Sequence, residues 1–470
     1  MKSEQYLSWI RTVLAYLVLP NLLFWLAGLV FEALPRAVVN IDYLVVGALV
    51  PFVGTAVAVA FMSCAMLADV FRSSGSIYYF SQRDSVEALG YIKELSSSQI
   101  VISSISVAVP IFVVSWLLVR LGGTDQKLRR KSIVIAICVL VLGAAGVFGG
   151  NSSLRVSDKA LTPNLSTSAG LSMAKTVWGA MVRKSEDIGS FPIDSATRRA
   201  KWLDGNPASQ NLVLVIVESG GMPKNPKWRE LIADVFNNEE IWKRYSVETG
   251  AVQFSGATIP GEFREYCGVM SQVVERPKSE VLENCLPSRL RTGGYRTLYI
   301  HGFTSAMFDR HSWTNRVGFS ETLFHPQLRQ FGLPDCGGPF RGTCDDAIGE
   351  WIGRKLESEA EQKHFISWLT LNSHLPVTAD RDSSAILGCG TPTAKIEDDA
   401  SCDLMGLVIR AERSVARLAV RPDLPPTEFL IVGDHAPPFI RRSRRDNFSS
   451  TQVPFVHLVP LKKLLSPKQQ

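Results

Sequence analysis

Apolar residues in this 470-residue chain are gathered into long runs before residue 150. The runs span 12–34, 43–68, 99–119 and 132–150, and the rest of the chain is mixed. Each run is near the roughly 20 apolar residues that a helix needs to cross a bilayer. A transmembrane bundle of about four helices is therefore expected in 1–150. The first run is too long for a signal peptide, and no small-residue cleavage site comes after it.

Lysine and arginine in the short loops set the orientation. Arg120, Lys127, Arg129, Arg130 and Lys131 come after the third run and place that loop in the cytoplasm. The fourth run then exits, and everything after about 150 lies outside. This count also puts the N-terminus outside, against the sign of Lys2 and Arg11; an additional span within 36–70 would reverse that end alone. Charged residues are nearly absent from the runs, apart from Glu32 and the borderline Asp42 and Asp69, which argues against a transporter.

Cysteine usage agrees with export. Cys64 and Cys138 fall in the runs, while Cys267, Cys285, Cys336, Cys344, Cys389 and Cys402 lie in the polar part. An even number in an exported domain reads as disulfides, and sequential pairing is the simplest of about 15 connectivities. A thiolate zinc site would be expected to show a CxxC pair, and none is present. The formal charge of +6 gives no case for a nucleic-acid partner. The basic run at 441–445 reads either as a solvated loop or as a patch facing anionic lipid.

Residues 151–210 are polar, with Pro and Ser breaks and one amphipathic stretch near 170–185, and read as a juxtamembrane linker. From Asn211 to the end at 470, apolar runs alternate with helical stretches at 228–245 and 405–420. The runs at 212–217, 295–300, 364–371 and 428–432 suit strands buried on both faces of a mainly parallel sheet. The residues just after each run carry the chemistry. The first run leads into Glu218, the second into His301, the third into Asn372-Ser373-His374 and the fourth into Gly433 and then Asp434-His435. Ligands of open α/β sheets bind outside the carboxyl ends of the strands. One such residue means little, since a lone histidine is more often structural; four of four strand ends suggest an assembled site.

Glutamate, aspartate and histidine together suit Zn²⁺ or Mn²⁺. Thr258 adds a hydroxyl. The stretch TIPGEF at 258–263 reads as a helix start with Pro260 in its first turn, so that Thr258 by itself is a helix cap. Beside a divalent ion the same hydroxyl becomes a nucleophile, because coordination lowers its pKa. His301, Arg310 and His374 then face the substrate, where a cation and imidazoles suit the oxygens of a phosphodiester. Glu262 and Arg264 are left to orient this helix by pairing with each other or with neighbours.

The motifs VES at 217–219, TxxxEF at 258–263, HG at 301–302 with FDR at 308–310, NSHLP at 372–376 and GDH at 433–435 carry a resemblance in their order and spacing. The chain resembles membrane-anchored phospho-headgroup transferases of the alkaline phosphatase/sulfatase superfamily. It most resembles the lipoteichoic acid synthase and phosphoglycerol transferase branch, with the phosphoethanolamine transferases as neighbours. The resemblance covers about 211–460 and the N-terminal membrane bundle. It implies an alkaline phosphatase/sulfatase-like catalytic domain holding one divalent ion, Mn²⁺ or Zn²⁺. Glu218, Thr258, Asp434 and His435 match the metal ligands, with Thr258 also the nucleophile. Arg310 and His374 match groups that hold the head group or act on the leaving group, with His301 nearby. Phe308 stands where the lipoteichoic acid synthases commonly have tryptophan. True sulfatase chemistry is disfavoured, because threonine cannot be oxidised to the required aldehyde and Glu262 stands where arginine is needed.

The implied reaction takes phosphoglycerol from an anionic phospholipid, phosphatidylglycerol, through a phospho-threonine to a periplasmic or envelope glycan. Phosphoethanolamine transfer, hydrolysis with water as acceptor, and a non-catalytic scaffold for envelope assembly are the alternatives. The location implied is the bacterial inner membrane, with the catalytic domain in the periplasm.

Overall fold

The computed structural model describes residues 2–30, 39–77, 97–123, 166–171 and 191–461, together with 135, 137, 139 and 174; within 191–461 it leaves out 206, 271–281, 283, 337–339 and 378–380. The fourth apolar run at 132–150, most of the linker and its amphipathic stretch lie outside the described residues. The chain divides into two compact units, one of residues 1–184 and 440–442, the other of 185–439 and 443–470.

The first unit is helical. Lys2–Val13, a π-helical turn Leu14–Val18, and Leu19–Val30 succeed one another without a break. Ser97–Gly122 covers the third apolar run. Within these, Tyr6–Leu26 and Ser104–Gly122 are long and apolar enough to cross a membrane. The run at 43–68, expected as one span, is two helices, Asp42–Leu49 and Thr55–Ile77, separated by a 3₁₀ turn, Val50–Phe52. Pro51 lacks the N–H needed to carry a helix through, and Gly54 comes soon after it. Tyr43 donates from its hydroxyl to Asp69 at 2.7 Å, so this acid within the apolar unit has a partner.

The second unit is built on a seven-stranded sheet. We label β1 Asn211–Val217, β2 Tyr245–Gln253, β3 Arg296–His301, β4 Glu321–Leu323, β5 His364–Leu369, β6 Thr427–Gly433 and β7 Gln452–Pro460. Their order is β2-β7-β6-β1-β5-β3-β4. The five strands from β6 to β4 pair in parallel, and β7 and β2 are antiparallel at one end. The sheet is thus mixed and mainly parallel, as expected. The four runs read as strands are β1, β3, β5 and β6. β2 and β7 were not legible: β2 mixes polar and exposed residues, and β7 contains Pro454 and Pro460.

Side chains alternate across the sheet, and each face has its own core. Val213, Val215 and Val217 join Ile366, Trp368, Ile431 and residues of helices Asp345–Ser358 and Asp399–Ala419. Leu212, Leu214 and Ile216 join Phe365, Leu369, Val432 and Ile259, Phe263 and Tyr266 of helix Thr258–Cys267. We call these helices, in chain order, α1 (Thr258–Cys267), α2 (Asp345–Ser358) and α3 (Asp399–Ala419). The second core includes Ala196, Trp202 and Leu203. Trp202 Nε1 donates to buried Glu428 at 2.7 Å, which His457 Nε2 also meets at 2.6 Å. Residues 191–209, expected in the linker, are therefore part of the folded domain. The helix expected across 228–245 is two short ones, Pro226–Ala233 and Glu239–Trp242, because Asn238 caps the second.

The three disulfides are Cys267–Cys285, Cys336–Cys344 and Cys389–Cys402, the sequential pairing. Cys64 is a free cysteine among the described residues, and Cys138 lies outside them.

Candidate active site

Parallel strands deliver their C-terminal residues to one edge, so the strand order decides which functional groups meet. β6 lies beside β1, which brings Asp434 and His435 to Glu218. The approach is close: a Cβ on Gly433 would come within 1.7 Å of the Gly220 carbonyl oxygen, so only glycine fits there. Glu218 is fixed at both ends of its backbone. Its N–H donates to Thr370 Oγ1 at 2.9 Å, and its carbonyl accepts from Ser373 Oγ at 2.6 Å. Ser219 beside it has φ 54°, a left-handed conformation that a non-glycine residue holds only when its surroundings impose it.

Thr258 is the first residue of α1, after Ala257 at the N-cap. It therefore does not cap the helix. Its Oγ1 lies 3.3 Å from Glu218 Oε2 and 3.2 Å from His435 Nε2. Glu218, Asp434 and His435 offer atoms within 4.8 Å of one another, and all three are buried. His435 Nδ1 faces the Ala436 carbonyl at 2.9 Å. That carbonyl can only accept, so Nδ1 carries a hydrogen and Nε2 is the nitrogen turned to the carboxylates. Asp434 Oδ1 accepts from the His435 N–H at 2.6 Å, while Oδ2 has no hydrogen-bond partner among the described residues. Leaving a buried carboxylate oxygen unpartnered is costly. Oδ2 and His435 Nε2 are 3.1 Å apart, an acid facing an imidazole nitrogen. A divalent cation fits this donor set of two carboxylates, an imidazole and a hydroxyl.

The electrostatics point the same way. Burial and the Glu218 charge push Asp434 up to about 8. Burial works against charge on Glu218, but His374, His435 and Arg310 outweigh it and hold the carboxyl below the usual range. Burial opposes a charge on His435, yet Asp434 and Glu218 raise its affinity for a proton to about 9. The same negative field draws a metal ion.

The remaining expected residues surround this cluster. His301, at the end of β3, is buried, with Nδ1 donating to the Leu369 carbonyl at 3.1 Å. Burial and then Arg310 lower its pKa to about 3, so it stays neutral. Half-buried His374 turns Nδ1 to the Leu375 carbonyl at 2.7 Å, and burial lowers its pKa. Its loop hangs from buried Asp345, which accepts N–H groups of Leu371 and Asn372 at 2.8–3.1 Å. Arg310 is 1 % exposed. Its guanidinium carbon lies 5.3 Å from the Phe308 ring centroid. Phe308 and Asp309 both have left-handed φ, 56° and 51°.

Several neighbours were not legible. Phe340 packs against His374 with ring centroids 4.1 Å apart, and Phe303 bridges Phe340 to His301. Thr370 and Ser373 support Glu218. Glu262 and Arg264 do not pair with each other: Glu262 meets Arg310 at 3.0 Å, and Arg264 meets Glu265 at 2.5 Å. Arg264 also donates to the carbonyls of Gly433 and Asp434 at 2.8 and 3.2 Å. Ser373 lies inside the recognised NSHLP motif, which is the signal that could have found it. Phe303 and Phe340 have no sequence signal.

A buried carboxylate–imidazole cluster at the strand ends of a mainly parallel sheet, with a hydroxyl on a helix start facing it, outlines an α/β protein with a candidate metal site. The family model described as Sulfatase matches residues 210–464, over half the chain, and the chain belongs to that family. No curated protein matches it. Among solved structures it is similar to the lipoteichoic acid synthase LtaP from Listeria monocytogenes, at 16 % identity over 56 % of this chain and 71 % of that one, with TM-score 0.37. It is also similar to the Streptococcus pyogenes phosphoglycerol transferase GacH in complex with sn-glycerol-1-phosphate, at 14 % identity over 56 % and 73 %, with TM-score 0.36. The C-terminal periplasmic domain of EcEptC from Escherichia coli matches at 14 % identity over 54 % and 73 %, with TM-score 0.33.

Proposed function

We propose that this protein transfers a phospholipid head group, phosphoglycerol from phosphatidylglycerol, to a periplasmic or envelope glycan through a phosphodiester on Thr258. The observation that carries the reading is that Thr258 Oγ1 lies within 3.3 Å of both Glu218 Oε2 and His435 Nε2, with Asp434 Oδ2 3.1 Å from the same imidazole nitrogen. Glu218, Thr258, Asp434 and His435 would hold one divalent ion, Mn²⁺ or Zn²⁺. When bound, that ion supplies Lewis acidity that favours the threonine alkoxide.

The reaction takes two displacements at phosphorus. In the first, Thr258 Oγ forms a bond to phosphorus and the bond to the diacylglycerol oxygen breaks. The threonine proton passes to that leaving oxygen, with His374 as carrier. In the second, an acceptor hydroxyl attacks the phosphorus, the bond to Thr258 Oγ breaks, and the acceptor proton returns to Thr258 by the same imidazole. His374 suits this because burial favours its neutral form, and with Nδ1 donating to the Leu375 carbonyl, Nε2 is the nitrogen that can take a proton. Arg310 and His301 face the non-bridging oxygens, where a fixed cation stabilises developing charge. Residues 1–150 anchor the chain in the bacterial inner membrane, the segment up to about 190 leads out of it, and the catalytic domain that follows faces the periplasm.

The test is peptide mass analysis of the full chain after incubation with phosphatidylglycerol or phosphatidylethanolamine and Mn²⁺ or Zn²⁺. A phosphoglycerol adduct on Thr258, absent from Thr258→Ala, is expected. A phosphoethanolamine adduct keeps the mechanism and changes the head group. No adduct from a metal-loaded protein that still turns over either lipid refutes the covalent mechanism.

A further inference from the structure

Helix α1 carries Glu262 one turn after Thr258, and nothing in the reaction above uses it. Its side chain is completely buried. Oε2 accepts from Arg310 Nη2 at 3.0 Å, and Oε1 accepts from the Tyr299 hydroxyl at 2.8 Å. Tyr299 is itself buried in the middle of β3. On the other side of the guanidinium, Nη1 donates to the Met307 carbonyl at 3.2 Å, and Nε has no hydrogen-bond partner among the described residues.

A buried ion pair is a poor stability device, since desolvation consumes most of its Coulomb energy. It does fix geometry well. A guanidinium is a planar fork of N–H donors, and pinning two of them sets where the others point. Here the Glu262 contact is buried and the Met307 contact partly so, and the preceding residues Phe308 and Asp309 hold left-handed φ angles that lead into Arg310. Glu262 is rigid in turn, because α1 fixes its backbone and Tyr299 fixes its second oxygen.

We infer that Glu262 is a positioning residue: held by Tyr299, it orients the Arg310 guanidinium so that its remaining N–H groups meet the anionic oxygens of the group handled at Thr258. The helix that carries the nucleophile thereby also registers the anion clamp against it. The identity of the anion rests on the proposed function; the positioning does not.

The experiment compares full-length wild type with Glu262→Gln and Tyr299→Phe. It reads the affinity for inorganic phosphate with Mn²⁺ present, the affinity for Mn²⁺ alone, thermal stability, and the rate of Thr258 adduct formation. Glu262→Gln keeps the shape and removes the charge. It is expected to weaken phosphate binding and slow adduct formation by about 10- to 100-fold, the scale of a small misplacement of a binding group, with Mn²⁺ affinity unchanged. Tyr299→Phe is expected to show a smaller loss of the same pattern. A folded Glu262→Gln that binds phosphate as wild type does overturns the inference. So does one that loses Mn²⁺ and phosphate together, which would mark a general structural role. Should Glu262→Gln fail to fold, Glu262→Asp, which keeps the charge and withdraws it, reads the same quantities. A wild type that binds phosphate without forming any adduct counts against the proposed reaction, while the variant comparison still decides the role of Glu262.

Discussion

Arg264 shows how much a single buried charge can organise. Its guanidinium lies 4.5 Å from the Phe254 ring centroid, pairs with Glu265, and clamps the carbonyls of Gly433 and Asp434. Those carbonyls end β6 where the candidate metal ligands begin. Arg264→Gln is expected to loosen Asp434 and weaken Mn²⁺ binding by about 10- to 100-fold, the range for outer-shell partners of metal ligands. It also removes the cation beside Glu265, which keeps the N–H groups of Ala196 and Thr197, so the cost is expected to fall below the about 3–5 kcal/mol of an unsupported buried pair. Calorimetric metal titration and thermal unfolding of the same sample measure both. The sequence singled out Arg264 by its place in TIPGEFR and offered Glu262 or a neighbour as partner; the neighbour Glu265 is one, and the two strand-end carbonyls were not foreseen. Its partners Gly433 and Asp434 are 169 and 170 residues away, a distance only the sheet closes.

At the scale of elements, the packing of α1 against the end of β6 is a close constraint on the site. A Cβ on Gly261 would come within 2.9 Å of the Asp434 carbonyl oxygen. Gly261→Ala must push the helix, and Thr258 with it, away from the cluster. An overpacking cost of about 1–3 kcal/mol is expected, with a loss of adduct formation larger than the loss of stability predicts. Single-turnover rates beside melting curves test this. Helix α3 carries a different strain. Glu412 lies against a cavity of about 10 Å³ lined by Gly220, Gly221 and Gly433, and its Oε2 has no partner among the described residues. Burial raises its pKa from 4.5 to about 8. Between those values the native state holds a proton that the unfolded chain releases. The stability this contributes is present at low pH and is lost as pH rises toward 8, at about 1.4 kcal/mol per unit. Glu412→Gln removes that titration. Its melting temperature is expected to gain on wild type steadily from pH 5 to pH 8, and parallel curves would refute the assignment.

For the molecule as a whole, the cross-links follow the sequential pairing that the sequence suggests. The disulfides close short separations of 18, 8 and 13 residues. Cys267–Cys285 holds the end of α1, and Cys336–Cys344 closes the segment that carries Phe340. Opening one is expected to cost about 2–4 kcal/mol. Reduction under native conditions should lower the melting temperature, and Cys267→Ser with Cys285→Ser should reproduce part of that drop. Unchanged melting on verified reduction would show that the bridges contribute little.

The sequence by itself determined the division into apolar and mixed halves, the four strands buried on both faces, and the reactive residue after each. These are local facts: long apolar runs mark hydrocarbon or a two-sided core, and the residue after a buried strand must emerge at its edge. It did not reveal β2 and β7, whose prolines and polar residues disguise them, nor the break at Val50–Phe52. Tertiary structure alone decided which strand ends meet. Thr258 reaches Glu218 across 40 residues and His435 across 177. Glu262 reaches Arg310 across 48. Nothing local encodes those pairings, because the order of strands in the sheet is set by which faces bury best together. That order places two carboxylates, an imidazole and a hydroxyl around one point.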